Sequence, residues 1–267
     1  MNSALPEPAR IAEHYNELMR DIGGEYIHSR WGDSEIKRRH YRQTETSLRH
    51  SIESLPRIGD VLEIGCGPAV WTPIFLPAAE SVHLFDISAE MLAKARQRAE
   101  AWDEGQHTQK LRYTCGDFCD TEVERTAYDT IISARAFEYM SDKSLFVNRC
   151  HEALRPGGSL VLVTKNRAWR DMRPGRERMS ERDLPVSATM QNDLVSWNTA
   201  VDMFDRAGFR DVQARPVVFG SYRRPFTSRP GLMLADLIHR TRYQRAMTHF
   251  LEGLVESYVV TGTRAST

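Results

Sequence analysis

No stretch of this 267-residue sequence approaches the ~20 consecutive apolar residues that a membrane-spanning helix needs. The opening MNSALPEPAR lacks the apolar centre of a secretory signal. Cysteine is scarce. Cys66, Cys115, Cys119 and Cys150 form no pair of C-x-x-C units, which argues against a zinc site and against a disulfide framework, so no metal is expected. The expectation is a reduced, cytoplasmic protein. Net charge is also missing, with Lys+Arg and Asp+Glu both at 36, and no general affinity for nucleic acid follows. The balance hides a split. From Lys165 onward there are 17 basic and 11 acidic residues, an excess of +6, and the preceding residues carry the matching −6. There is no internal repeat and no low-complexity segment, and the length suits one large α/β domain with additions.

The most informative residues are 61–72, VLEIGCGPAVWT. Val61, Leu62 and Ile64 form a short apolar run of the kind found in buried parallel strands, and Gly65 and Gly67 follow in a tight turn. A dinucleotide loop wants G-x-G-x-x-G. Here Val70 takes the place of the last glycine and Glu63 sets an acid beside the turn, which repels a diphosphate and suits a cationic ligand. Residues 81–86, SVHLFD, read as a second strand ending in an acid about twenty residues on, where one carboxylate can accept from both hydroxyls of a ribose. The alternative for Asp86 is a plain helix-start acid favoured by the helix dipole. Ser88 is placed to cap the helix that follows. LRYTCGDF at 111–118 and YDTIISARAFEY at 128–139 read as a third and a fourth strand with their exits. LRPGGSLVLVT at 154–164 reads as a Pro-Gly-Gly turn into a fifth.

These five signposts, over residues 60–165, resemble the class I S-adenosylmethionine (SAM) methyltransferases. E-x-G-x-G resembles motif I, with Ala69 where the family usually has a third glycine. The stretch from Asp86 through Ser88 to Met91 and Leu92 resembles D-x-S-x-x-M-L, and the fourth strand resembles D-x-I-x-S-x-x-x-L-E-H with Phe137 and Tyr139 at the leucine and histidine positions. The resemblance implies an α/β fold with a doubly wound, mostly parallel seven-stranded sheet whose last strand is antiparallel. It implies SAM as cofactor and S-adenosylhomocysteine (SAH) as product. Glu63, Gly65, Cys66 and Gly67, with Pro68 and Trp71, would shape the methionine end of the site. Asp86 would hold the ribose, beside Ile87 and Met91. Gly116, Asp117 and Phe118 would meet the adenine, and Ser133 and Ala134 the cofactor's open side.

Around this centre, residues 1–56 are expected to form a helical N-terminal cap, with its second helix over 33–55. Residues 57–165 are the expected SAM-binding core. Residues 166–267 are expected to complete the same domain through an arginine-rich loop at 166–195, a helix at 197–207 closed by Gly208, and strands at 211–219 and 257–262 separated by a helical insertion at 222–254. Arg135, Tyr139 and Lys165 stand where substrate-facing elements should converge and are the candidate catalytic residues. Arg135 either binds an anionic acceptor or pairs with Glu138. His14, His28 and His40 lie in the cap, where packing or surface roles are favoured. The arginines at 167, 170, 173, 176, 178 and 182 read first as a solvated surface and second as a site for a phosphorylated or acidic acceptor. The sequence lacks the family's Asn/Asp-Pro-Pro-Tyr/Phe motif, a Pro-Cys nucleophile and a recognisable RNA module. A small polar acceptor of natural-product, sugar or nucleoside type is therefore expected, with no nucleic-acid partner. Two rival readings are a SAM- or SAH-binding module without turnover and a fold redirected to non-methylating chemistry on a nucleoside or sugar. Nothing in the sequence speaks to oligomeric state.

Overall fold

A computed structural model of the chain describes residues 7–22, 26–168, 194–219 and 255–266. The apolar runs become the middle of a seven-stranded sheet. They are β1 (Asp60–Ile64), β2 (Ser81–Asp86), β4 (Tyr128–Ala134) and β5 (Leu154–Lys165), joined by β3 (Leu111–Cys115), β6 (Phe209–Phe219) and β7 (Val255–Arg264) in the order β3-β2-β1-β4-β5-β7-β6. β1 to β5 are mutually parallel, and β7 runs antiparallel to both β5 and β6. The half-exposed β3 lies at one edge and β6 at the other, where Pro216 costs no ladder bond.

The strands feed two apolar layers because successive side chains point to opposite faces. Leu62, Ile64, Ile131 and Leu160 pack on one face with Phe146 of α4 (Lys143–Ala153) and Phe204 of α5 (Trp197–Arg206). Val61, Val82, Ile132 and Val161 pack on the other face. Their partners are Leu48 and Ile52 of α2 (Glu35–Glu53) and Leu92 and Ala95 of α3 (Ala89–Ala101). Each of these helices starts on a side-chain cap. Ser34, Ser88, Asp142 and Ser196 accept from the free amides of Lys37, Met91, Leu145 and Thr199, each three residues on. The first helix, α1 (Glu7–Ile22), lies against α3. Its Asn16 side-chain oxygen accepts from the Ser88 hydroxyl at 2.7 Å and from the Glu90 amide at 3.3 Å.

Several expected boundaries shift, for visible reasons. β6 begins at Phe209, immediately after the φ +93° of Gly208, and its apolar pattern breaks at Asp211, where φ is +53° and the register slips. β7 runs two residues longer than expected at each end, over Val255–Arg264. The Pro-Gly-Gly turn lies within β5 as an irregularity, with Leu154 paired to Tyr128 and Ser159 to Thr130, and with Gly157 at φ +81°. The helical insertion expected at 222–254 and the arginines from 170 to 182 fall outside the described residues.

The connections after β1 and β4 leave toward opposite faces of the sheet, so a crevice opens at their carboxyl ends. Gly65 lies at its floor. Its φ is +67°, and a Cβ built on it would meet the Ala136 Cβ at 2.1 Å. Gly65→Ala is expected to destabilise the protein by about 3 kcal/mol, from a left-handed alanine and an overpacked turn together. The urea midpoint should fall at unchanged slope; an unaltered midpoint would show that the turn yields freely.

Candidate functional site

The three strand ends that line the crevice are tied together through β2. The Phe85 carbonyl accepts from the amides of Gly65 at 2.7 Å and Cys66 at 3.3 Å, and the Asp86 carbonyl accepts from Gly116 at 3.0 Å. The Asp86 carboxylate reaches across to the Gly67 amide at 2.7 Å with Oδ2 and to the Ser88 amide at 2.9 Å with Oδ1. Burial pushes its acid up to about 6 despite these bonds. The turn itself alternates left-handed residues, with φ of +67° at Gly65, +54° at Gly67 and +55° at Ala69. Alanine thus stands in a conformation that favours glycine.

Above this turn lies one cavity of about 110 Å³, measured as the space open to the centre of a water-sized sphere. One water needs roughly 10–15 Å³ on that measure, so the space is ligand-sized. Of the residues expected at the site, Gly65, Cys66, Gly67, Pro68, Trp71, Asp86, Ile87, Met91, Gly116, Asp117, Phe118, Ala134, Arg135 and Tyr139 line it. A Cβ built on Gly67 would have the Met91 sulfur as its nearest neighbour, 3.9 Å away, so the missing side chain leaves room over the turn. Asp117 Oδ1 accepts from the Cys119 amide at 2.9 Å, and Phe118 is wedged edge-on between Phe85 and Phe146. Among the described residues no group of three His, Cys, Asp or Glu could hold a metal ion, and no helix is long and apolar enough to cross a membrane.

Three expected site residues do not line the cavity. Glu63 points to the opposite face from Ile64, where it accepts from the Thr72 hydroxyl at 2.5 Å. Burial raises its acid to about 8, so it is largely protonated at neutral pH. Ser133 is fully buried within β4. Lys165 ends β5 and is not among the lining residues; burial, with Arg135 and Arg30 nearby, brings its ammonium down to about 8. The cap histidines also lie elsewhere. His14 packs on Tyr15, His28 lines a separate open groove, and the buried His40 stands 3.7 Å from Glu256.

The cap instead supplies residues that the sequence reading did not single out. Pro8, Ile11, Tyr15, Tyr26, Arg30 and Trp31 close the far side of the cavity. Ile11 and Tyr15 are four apart on α1, a spacing that could have marked an inward face. Tyr15 meets Tyr139 edge-on at 5.6 Å between ring centres.

Arg135 resolves its two expected roles in part. Its Nε bonds Glu138 Oε1 at 3.1 Å, with the side chains 8% and 1% exposed. Its Nη1 is buried and has no hydrogen-bond partner among the described residues. The residue holds φ +68°, and its amide donates to the Val163 carbonyl at 2.9 Å.

Residues 61–158 match the family described as a methyltransferase domain. The chain carries a class I, SAM-dependent methyltransferase domain. The ubiquinone biosynthesis O-methyltransferase of Nitrobacter winogradskyi is 28% identical over 164 residues, which cover 61% of this chain and 60% of that one. A probable SAM-dependent methyltransferase of Mycolicibacterium smegmatis is 26% identical over 174 residues, 64% of this chain and 60% of its own. The chain thus spans 60% of the length of each of these relatives. Among solved structures, geranyl diphosphate C-methyltransferase from Streptomyces coelicolor, in complex with Mg2+, geranyl diphosphate and SAH, superposes with TM-score 0.62 at 15% identity. The match covers 98% of this chain and all of that one. At that identity the likeness concerns the fold.

The Arg135–Glu138 pair gives the domain a test of its own architecture. Glu138→Ala strands a buried guanidinium and is expected to cost about 3–5 kcal/mol of unfolding free energy. A loss below about 1 kcal/mol in urea titration would mean the pair is solvated in solution.

Proposed function

We propose that the protein is a SAM-dependent methyltransferase that moves a methyl group to an oxygen or nitrogen of a small polar molecule, of natural-product, sugar or nucleoside type, and releases SAH. The observation that carries this reading is the continuity of the cavity. It runs from Asp117 and Phe118, past Asp86 and the open turn at Gly67, to Arg135 and Tyr139. SAM supplies, when bound, a methyl group already activated by the charge on its sulfur. The residues of the chain bind, orient and exclude water, and such positioning can provide several kcal/mol of the barrier.

Each Asp86 oxygen uses one lone pair on an amide and keeps another for a ribose hydroxyl. Asp117 and Phe118 take the adenine, and the Gly65 to Gly67 turn, with Cys66, Pro68 and Trp71, takes the methionine end. Tyr139 and Arg135, with the cap residues Tyr15, Tyr26 and Arg30, form the acceptor side. A cytoplasmic enzyme of small-molecule metabolism fits this reading.

Calorimetric titration with SAM and SAH tests it first, with micromolar binding expected. Asp86→Asn should weaken SAH binding by about tenfold or more, because a charged acceptor of two hydroxyl protons becomes a neutral amide. The sign of the pH dependence follows from the acid near 6. Asp86 accepts from the ribose when ionised, so wild-type affinity holds above that pH and falls as pH drops through it. In Asp86→Asn this dependence should vanish; an unchanged affinity and pH profile would remove Asp86 from the site. Acceptor-dependent SAH release over a panel of hydroxyl and amine compounds then tests transfer. SAM binding with no release across the panel would favour a binding module or redirected chemistry.

A further inference from the structure

We infer that the cap end of the cavity binds an anionic group, a carboxylate or a phosphate, carried by the acceptor, with Arg135 and Arg30 as its ligands. The inference rests on the methyltransferase reading and names the substrate class for that same site.

The cavity is lined largely by apolar side chains but carries opposite charges toward its two ends. Its acids, Asp86 and Asp117, stand at the carboxyl ends of β2 and β3, and its arginines, Arg30 and Arg135, stand by the cap. Both guanidinium carbons lie over the same ring, that of Trp31, at 5.5 and 5.9 Å from its centre. Two cations sharing one ring repel each other, and the carboxylate paired with Arg135 is that of Glu138. Glu138 is already engaged by Arg135 Nε and, at 3.4 Å, by the Thr164 hydroxyl, and the next buried acid, Glu256, faces His40 at 3.7 Å. Among the described residues no carboxylate forms a salt bridge with Arg30. Tyr15 and Tyr26 line the same end, and burial raises both phenols, so they stay neutral and leave the positive charge uncancelled.

The decisive atom is Arg135 Nη1. It belongs to a side chain 8% exposed, it has no hydrogen-bond partner among the described residues, and its residue lines the cavity. A buried guanidinium donor left unpaired is costly unless a ligand completes it. The backbone adds a second cost, because φ +68° at Arg135 is a conformation in which a long side chain is uncommon. Glu138 holds the guanidinium by Nε, which leaves the Nη edge to meet a planar or tetrahedral oxyanion through parallel N–H bonds.

The test uses the full chain saturated with SAH, titrated calorimetrically with phenyl phosphate, benzoate and, as the neutral match, benzamide. At least one anion should bind about tenfold or more tightly than benzamide, and the order of the two anions tells phosphate from carboxylate. Arg30→Gln should abolish that margin while SAH affinity stays within about threefold. Arg135→Gln alone would bury an unpaired Glu138, so the paired variant Arg135→Gln/Glu138→Gln is used, with the same expectation. Equal binding of anions and benzamide overturns the inference and leaves the methyltransferase reading standing. So does an anion margin that survives both variants. A third overturning result is a loss of SAH affinity in the variants with methylthioadenosine, which lacks the carboxylate, unaffected; the arginines would then hold the cofactor's own carboxylate. Failure of SAH to bind the wild type sinks both readings, and is seen before any anion is added.

Discussion

The site depends on the carboxyl end of β2. Two consecutive residues there, Phe85 and Asp86, spend both carbonyls and both carboxylate oxygens on the turns that follow β1, β2 and β3. A glycine turn with three left-handed residues has little to hold it in place by itself. Bonding its amides to the neighbouring strand fixes the turn to the rigid sheet, and the cavity inherits that rigidity. The same carboxylate that holds the turn faces the cavity. Any ligand that competes for its second pair of lone pairs therefore meets an acceptor already oriented by two amides.

The cap is coupled to this junction. Asn16 of α1 accepts from the Ser88 hydroxyl and the Glu90 amide, at the start of the helix that Asp86 leads into. One side of the cavity thus comes from sheet ends and the other from helices before the sheet, with α3 between them. The division has a chemical consequence. The acids arrive on strand ends and the spare arginine charge arrives on the cap and on the β4 exit, so a ligand pair spanning the cavity meets opposite fields at its two ends.

Much of this was legible in the sequence because the central strands are largely apolar on both faces, and because β1 runs into a glycine turn and β2 ends in an acid. Those runs marked β1, β2, β4 and β5, and the 19-residue step from Gly67 to Asp86 marked the junction between the first two. Motif spacing carried no information on the partner side of the cavity. Tyr15 sits in α1 and Tyr26, Arg30 and Trp31 in the residues before α2, outside every motif, and packing against Tyr139, Arg135 and Trp71 is what brings them to the cavity. Strand ends near irregularities were misjudged for a related reason. At Asp211 and at Pro156 to Gly158 the ladder slips, and a period-two pattern cannot be followed through a slip.

Glu63 shows where motif logic and geometry part. An acid beside a glycine turn invites an argument from charge, and that argument assumes that the acid faces the ligand. Strand alternation says otherwise. Ile64 lines the cavity, so its neighbour Glu63 points through the sheet to the other layer, where α2 and α3 pack. There it is buried and near neutral, and its bond to Thr72 ties the first helical turn after the loop to β1. The acid thus braces the far side of the turn that Asp86 braces on the near side. Two carboxyl groups on adjacent strands grip one loop from opposite faces, and only the ionised one is left facing the ligand.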